Sequence, residues 1–233
     1  MDIKELLEQV KNGTIEIEEA EKHLRKQPYE EMGYAKLDSH REIRSGFPEV
    51  VYCSGKPDEF LASIYQKLYD ENGEVFGTRA SEHQYEIVKQ VLPQVVYDPI
   101  SHILKIEKED KEHIGKIAIC SAGTADIPVA EEAAQTAEFF GANVDRIYDV
   151  GVSGVHRLLA QLDTVQEANC VVAVAGMEGA LAPQIEEQRS WRTGKQSGDC
   201  SADFGWLWCE YARIIGASYY DQFLCKWNCC GKY

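Results

Sequence analysis

The sequence predicts a doubly wound α/β domain of parallel strands, preceded by a smaller α+β domain. Three observations lead there. From residue 114 onward, short apolar runs alternate with helical patterns in the order strand, helix, strand, helix, strand, which is how right-handed crossovers build a parallel sheet. Each run is followed by a loop rich in glycine, hydroxyl and carboxylate groups, as at the carboxyl ends of strands where such sheets bind ligands. Residues 1–113 mix amphipathic helices with short strand candidates and lack that alternation.

In chain order, residues 2–11 and 15–25 read as two short amphipathic helices separated by Asn12-Gly13-Thr14, where Gly ends one helix and Thr caps the next. Asp58 to Tyr69 places Phe60, Leu61, Ile64, Tyr65 and Leu68 on one helical face. Strand candidates are Val50 to Tyr52, Val75 to Gly77 and Val95 to Tyr97, and the charged stretch Glu107 to His113 reads as a linker. Beyond it, Lys116 to Cys120 suits a buried parallel strand. Pro128 fits a helix's first turn, and Val129 to Phe140 continues that helix to Gly141. Arg146 to Val150 is expected as the second strand, Ser153 to Leu162 as the second helix and Cys170 to Ala175 as the third strand. The expected division is 1–113, an α+β domain; 114–185, the parallel-sheet domain; and 186–233, a tail of different composition.

The chain has 233 residues, a net charge of -15 and a pI near 4.8. That acidity argues against nucleic acid or an anionic membrane as partner, since both need a basic footprint. MDIKELLEQVKNG lacks the apolar core of a signal peptide, and no apolar run reaches the roughly 18 to 20 residues of a membrane span, so a cytoplasmic location is expected. Cys200, Cys209, Cys225, Cys229 and Cys230 crowd the last 34 residues, and all four tryptophans lie from Trp191 onward in the same tail, whereas Cys53, Cys120 and Cys170 are scattered. No C-x-x-C pair or partnering histidine marks a metal site, and none is expected.

Three loops carry the chemistry. Loop one offers Ser121, Gly123, Thr124 and Asp126 just ahead of a helix, where backbone N–H groups and the helix dipole favour a phosphate. Asp126 suits a sugar hydroxyl or a proton transfer, and equally Ser121 and Asp126 suit plain caps. Glu131 and Glu132 fall in the first turn, where the dipole accounts for them. In loop two Gly151 and Gly154 bracket a turn between Asp149 and His156; the histidine fits proton transfer tuned by that carboxylate, or a surface cap. Loop three, Gly176-Met177-Glu178-Gly179, lets backbone approach a ligand closely.

Together SAGTADIPVAEEA, DVGVSGVHRLL and VAGMEGA resemble the carboxylase domain shared by the PurE family of purine biosynthesis and the LarB type of nickel-pincer cofactor biosynthesis. The LarB type is the nearer, because Leu37 to Lys56, with Arg41, Arg44 and Lys56, and Gly77-Thr78-Arg79 resemble its N-terminal half, which PurE proteins lack. The resemblance implies a flavodoxin-like three-layer α/β/α sheet and a homo-oligomer. It also implies carboxylation of nicotinic acid adenine dinucleotide at C5 of its pyridinium ring, with CO2 or bicarbonate as co-substrate. Hydrolysis of the phosphoanhydride then gives pyridinium-3,5-biscarboxylic acid mononucleotide and AMP. It points to Asp126, His156 and Asp149 as catalytic. Ser121, Gly123, Thr124, Gly151, Gly154, Gly176, Met177, Glu178, Gly179, Arg41, Arg44, Lys56 and Arg79 are assigned to substrate. The sequence calls for no cofactor and leaves Mg2+ open. Alternatives are a PurE-type enzyme acting on aminoimidazole ribonucleotide, disfavoured by the long N-terminal half, and a nucleotide-binding protein without turnover.

In the family the chain runs on to a strand like Pro-Val-Ile-Ala-Val-Pro-Thr-Ser-Val-Gly-Tyr-Gly and a helix ending in Asn-Ser-Cys, whose cysteine is the nucleophile. Neither is present here. Yet Gly198 to Ala212 can be encoded so that reading one nucleotide later gives Val-Ile-Ala-Val-Pro-Thr-Ser-Val-Gly-Tyr-Gly-Ala-Ser-Met. Each tryptophan codon, TGG, shifts to a glycine codon, so Trp191, Trp206, Trp208 and Trp227 all become glycines. A reading-frame shift near residues 183–190 is therefore expected; the alternative is a divergent tail whose cysteines bind metal or form disulfides. Cys225 does not inherit the nucleophile's role, because that codon would straddle Leu224 and Cys225.

Overall fold

The computed structural model describes residues 3–24, 30–31, 33, 36–37, 47–176 and 179–193. Arg41, Arg44, Met177, Glu178 and the tail beyond Thr193 lie outside the described residues. Helices α1 (Ile3–Lys11) and α2 (Ile17–Leu24) form a hairpin that buries Leu6 and Ala20, and a two-stranded ribbon follows, β1 (Glu30–Glu31) against β2 (Lys36–Leu37).

A four-stranded sheet comes next, in the order β3 (Val50–Tyr52), β4 (Val75–Thr78), β6 (Ile103–Ile106), β5 (Val96–Asp98). Strands β3 and β4 are parallel, while β6 is antiparallel to β4 and β5 to β6. Helices α3 (Asp58–Asn72) and α4 (Glu82–Val91) cover one face, packing Leu61, Ile64, Tyr65, Leu68 and Val88 against Val75 and Leu104. Gly77 is required in the middle of this core: a Cβ there would stand 1.8 Å from Tyr65 Oη, the hydroxyl that donates to Leu104 O at 3.0 Å.

The second sheet is parallel throughout, with β7 (Ile114–Ser121) between β8 (Ala142–Ile147) and β9 (Cys170–Val174). The chain steps from the central strand to one neighbour and then crosses to the other. That is the start of a flavodoxin-like order, with its switch point between β7 and β9. Helix α5 (Ile127–Phe139) covers one face; α6 (Val155–Ala160), α7 (Leu162–Glu167) and α8 (Leu181–Thr193) cover the other through Leu158, Val165, Leu181 and Ile185. The expected doubly wound α/β class holds.

Helix α5 also joins the two sheets. Its alanine face, Ala130, Ala133, Ala134 and Ala137, sits on the parallel sheet through Ile117, Ile119, Val172 and Val174. Its opposite flank meets the four-stranded sheet. Phe139 packs on Phe76 with ring centroids 4.6 Å apart, Gln135 Nε2 donates to Asp98 Oδ2 at 2.7 Å, and Glu132 receives Arg79. Burying a phenyl ring contributes about 2–3 kcal/mol, so Phe76 and Phe139 anchor this contact.

Several elements differ from the sequence expectation, each for a physical reason. The second strand starts at Ala142 rather than Arg146, because as an edge strand it exposes Asn143 and Arg146 and so lacks an unbroken apolar signature. The expected helix over 153–162 is a 3-10 turn (Val152–Gly154) followed by two short helices that break at Gln161. Strand β6 and helix α4 were not anticipated, although Ser81 and Gln84 form a full capping box that announces α4. The stretch 107–113 is a fastened strap: Lys111 Nζ binds Glu74 Oε2 at 2.7 Å, donates to Phe139 O and lies 3.9 Å over the Phe139 ring.

Candidate functional site

The ligand edge is set by how β7 ends. Ser121, its last residue, is fully buried and its Oγ accepts the Asp149 N–H at 3.1 Å. The N–H groups of Val150 and Gly151 donate to the carbonyls of Ser121 and Ala122, both at 2.9 Å, so loop two is zipped to loop one. A Cβ on Gly151 would stand 2.5 Å from Ala122 O, so the close approach needs glycine.

Asp126 then ties loop one to loop three. Its Oδ2 accepts the Gly123 N–H at 2.9 Å and its Oδ1 accepts the Gly176 N–H at 3.2 Å. The carboxylate thus spans the switch point between β7 and β9, where open α/β sheets seat ligands. Gly123 and Gly176, the two amide donors, are half-buried, Thr124 is exposed and Gly179 is buried.

Loop two differs from expectation in its pairing. Asp149, held at φ +58, forms its ion pair with Arg157 Nη1 rather than with His156. The reason is local: the guanidinium folds back over Gly154, where a Cβ would lie 2.6 Å from Arg157 Nε. His156, one residue earlier on the first turn of α6, is exposed.

The N-terminal sheet opens onto the same edge. Phe139 and Glu132 are seven residues apart on α5, about 10 Å at 1.5 Å per residue. Their partners Phe76 and Arg79 are three apart, about 10 Å along an extended strand. The helix and β4 therefore run side by side in opposite senses. Because α5 descends from loop one, the carboxyl end of β4 points the same way as that of β7. Arg79 Nε and Nη2 bind Glu132 Oε1 and Oε2 at 3.1 and 3.0 Å. Burial raises the Glu132 pKa, against the opposing charges of Arg79 and His102. Lys56 lies half-buried in the turn after β3, closed by its N–H to Cys53 O at 3.1 Å, at that same end. The helix dipole expected to account for Glu132 is not its partner here; nothing in the helical pattern announces an arginine 53 residues away.

A family model described as the LarB/PurE-like N-terminal domain matches residues 29–109. The uncharacterized protein MJ0165 of Methanocaldococcus jannaschii is 39% identical over 196 residues, covering 79% of this chain and 76% of that one. The chain belongs to the LarB/PurE-like family. A carboxylase-related role follows at the level of the family.

The described cysteines are poorly placed to act as thiolate nucleophiles. Cys53 and Cys120 are fully buried, and burial pushes the Cys53 thiol up to about 11. Cys170 opens β9, at the end of the sheet opposite the loops. Among the described residues no group of His, Cys, Asp and Glu is arranged to hold a metal ion, and no helix is long and apolar enough to cross a membrane.

Proposed function

We propose that the chain derives from an enzyme that carboxylates nicotinic acid adenine dinucleotide at C5 and cleaves its phosphoanhydride, releasing AMP. The observation that supports this reading is the Asp126 bridge, which draws loops one and three together beside the start of α5, with Thr124 exposed at the switch point. A cationic pyridinium is too electron-poor to attack CO2. Adding a cysteine thiolate to the ring makes it enamine-like, C5 takes up CO2, a base removes the C5 proton, and the thiolate leaves as the ring regains aromaticity. His156, exposed beside loop two, is the proposed proton acceptor, and Asp126 orients the loops that hold the substrate. Asp149 is proposed to serve with Arg157, its ion-pair partner, in fixing loop two against the substrate. Gly151 and Gly154 shape that loop, while Lys56 and Arg79 face the phosphates from the N-terminal sheet. Arg41, Arg44, Met177 and Glu178 are proposed on family grounds alone.

The nucleophile is missing from this reading frame, and the frame shift near residues 183–190 is the proposed cause. DNA that cannot encode Pro-Thr-Ser-Val-Gly-Tyr-Gly one base out of frame would sink that idea. The activity test compares the chain as given with a frame-corrected one, each incubated with nicotinic acid adenine dinucleotide and bicarbonate, with mass spectrometry of the mononucleotide product. The corrected chain is expected to turn over and the given chain is not. No product from either refutes the assignment of substrate, and activity of the given chain that Cys225→Ala abolishes refutes the account of the tail.

A further inference from the structure

Three non-glycine residues of the described chain adopt left-handed backbone: Arg79 (φ 57), His102 (φ 57) and Asp149 (φ 58). Such conformations carry strain and gather where function demands them. All three stand on one edge of the molecule. Asp149 follows the carboxyl end of β8, Arg79 follows the carboxyl end of β4, and His102 precedes β6, which runs antiparallel to β4. Arg79 and His102 are neighbours across that pair, since the Ala80 N–H donates to His102 O at 2.9 Å.

Each of the two side chains is held in place. Glu132, fully buried on α5, grips Arg79 through two contacts near 3 Å. Tyr97 Oη lies 2.9 Å from His102 Nδ1, which fixes the imidazole while leaving the residue exposed. Thr78, the residue before Arg79, is fully buried, and its hydroxyl has no hydrogen-bond partner among the described residues, an arrangement costly without a polar group to meet it. A guanidinium and an imidazole donor held in fixed geometry at a ligand edge suit an anion.

We propose that Arg79 and His102 form a second anion subsite beside loop one, that it takes a phosphate of the nucleotide substrate, and that Glu132 is the residue that positions Arg79. This rests on the nucleotide reading of the loops. It adds to that reading a role for His102 and Glu132 and makes the substrate site a joint product of both sheets.

The test is calorimetric titration of the full chain, as given, with ADP and with adenosine. Arg79→Asn and His102→Asn remove the guanidinium and the imidazole with a residue that tolerates left-handed backbone. Each should weaken ADP binding by about tenfold or more, the scale of one charge-assisted hydrogen bond, and leave adenosine unchanged. Glu132→Gln should weaken ADP in the wild-type background and add nothing in Arg79→Asn, as expected if it acts through the arginine. Arg79→Lys, which keeps the charge, separates misfolding from lost recognition and should recover part of the ADP affinity. If the wild-type chain binds ADP and the two asparagine variants bind it equally well, the subsite is refuted while the loops keep their reading. Equal losses for ADP and adenosine also refute it, and reduce the cluster to an interdomain brace. A wild-type chain that binds adenosine and ADP alike overturns the phosphate reading itself and the subsite with it.

Discussion

Asp126 offers the sharpest perturbation, because one carboxylate holds two loops through two backbone amides at 2.9 and 3.2 Å. Hydrogen bonds to a charged group contribute about 1.5–3 kcal/mol each. Asp126 is half-buried, which favours the lower figure, so Asp126→Ala should remove about 3 kcal/mol from the local stability of the loop pair. Asp126→Asn keeps one acceptor but turns an amide N–H2 toward the other donor, so at least half of that loss should remain. Urea unfolding followed by far-ultraviolet circular dichroism gives the global change. Amide hydrogen exchange at Gly176 gives the local one, and about 3 kcal/mol corresponds to an exchange rate raised by roughly a hundredfold. A change under about 0.5 kcal/mol, within the range of an ordinary surface substitution, with Gly176 protection unchanged, would refute the bridge.

Gly77→Ala should cost about 3 kcal/mol or more by overpacking, since the new methyl would stand 1.8 Å from Tyr65 Oη and 2.9 Å from Cys53 Sγ; chemical denaturation measures it. Lys111→Met should cost about 2–3 kcal/mol in the same assay, because it strands the Glu74 carboxylate, whose side chain is only 13% exposed. Stability should also fall with alkali through Cys53, whose thiol burial raises from 9.0 to about 11. Below pH 9 both states keep the proton. Between about 9 and 11 the unfolded chain loses it first, so roughly 2–3 kcal/mol is lost across that window, and Cys53→Ala should flatten that part of the stability-pH curve.

Local chemistry made much of the fold legible. The parallel core strands β7 and β9 are buried on both faces, so apolar runs announced them, and Pro128 and Gly141 marked where α5 begins and ends. Edge strand β8 was misjudged by four residues because its polar residues face solvent. At the site, the loops' glycines and Asp126 were readable from spacing, whereas the partners of Asp149 and Arg79 were not. An ion pair between β4 and α5 depends on how two sheets share a helix, and no period in either segment encodes it. The strap over 107–113 misled for a related reason: its charge resembles a solvated linker, and only the fold brings Glu74 and the Phe139 carbonyl to Lys111.

A helix shared by two sheets leaves neither sheet an unfolding equilibrium of its own. Removing α5 from the four-stranded sheet would expose Phe76, and removing it from the parallel sheet would expose the alanine-packed face of β7 and β9. The two halves should therefore open as one cooperative unit, with slow-exchanging amides in β4 and β7 sharing a single opening free energy. For a lineage in which an N-terminal sheet is joined to a carboxylase fold, the added half cannot be shed without leaving its host an uncovered helix flank. That mutual dependence gives a physical reason for the two halves to travel together.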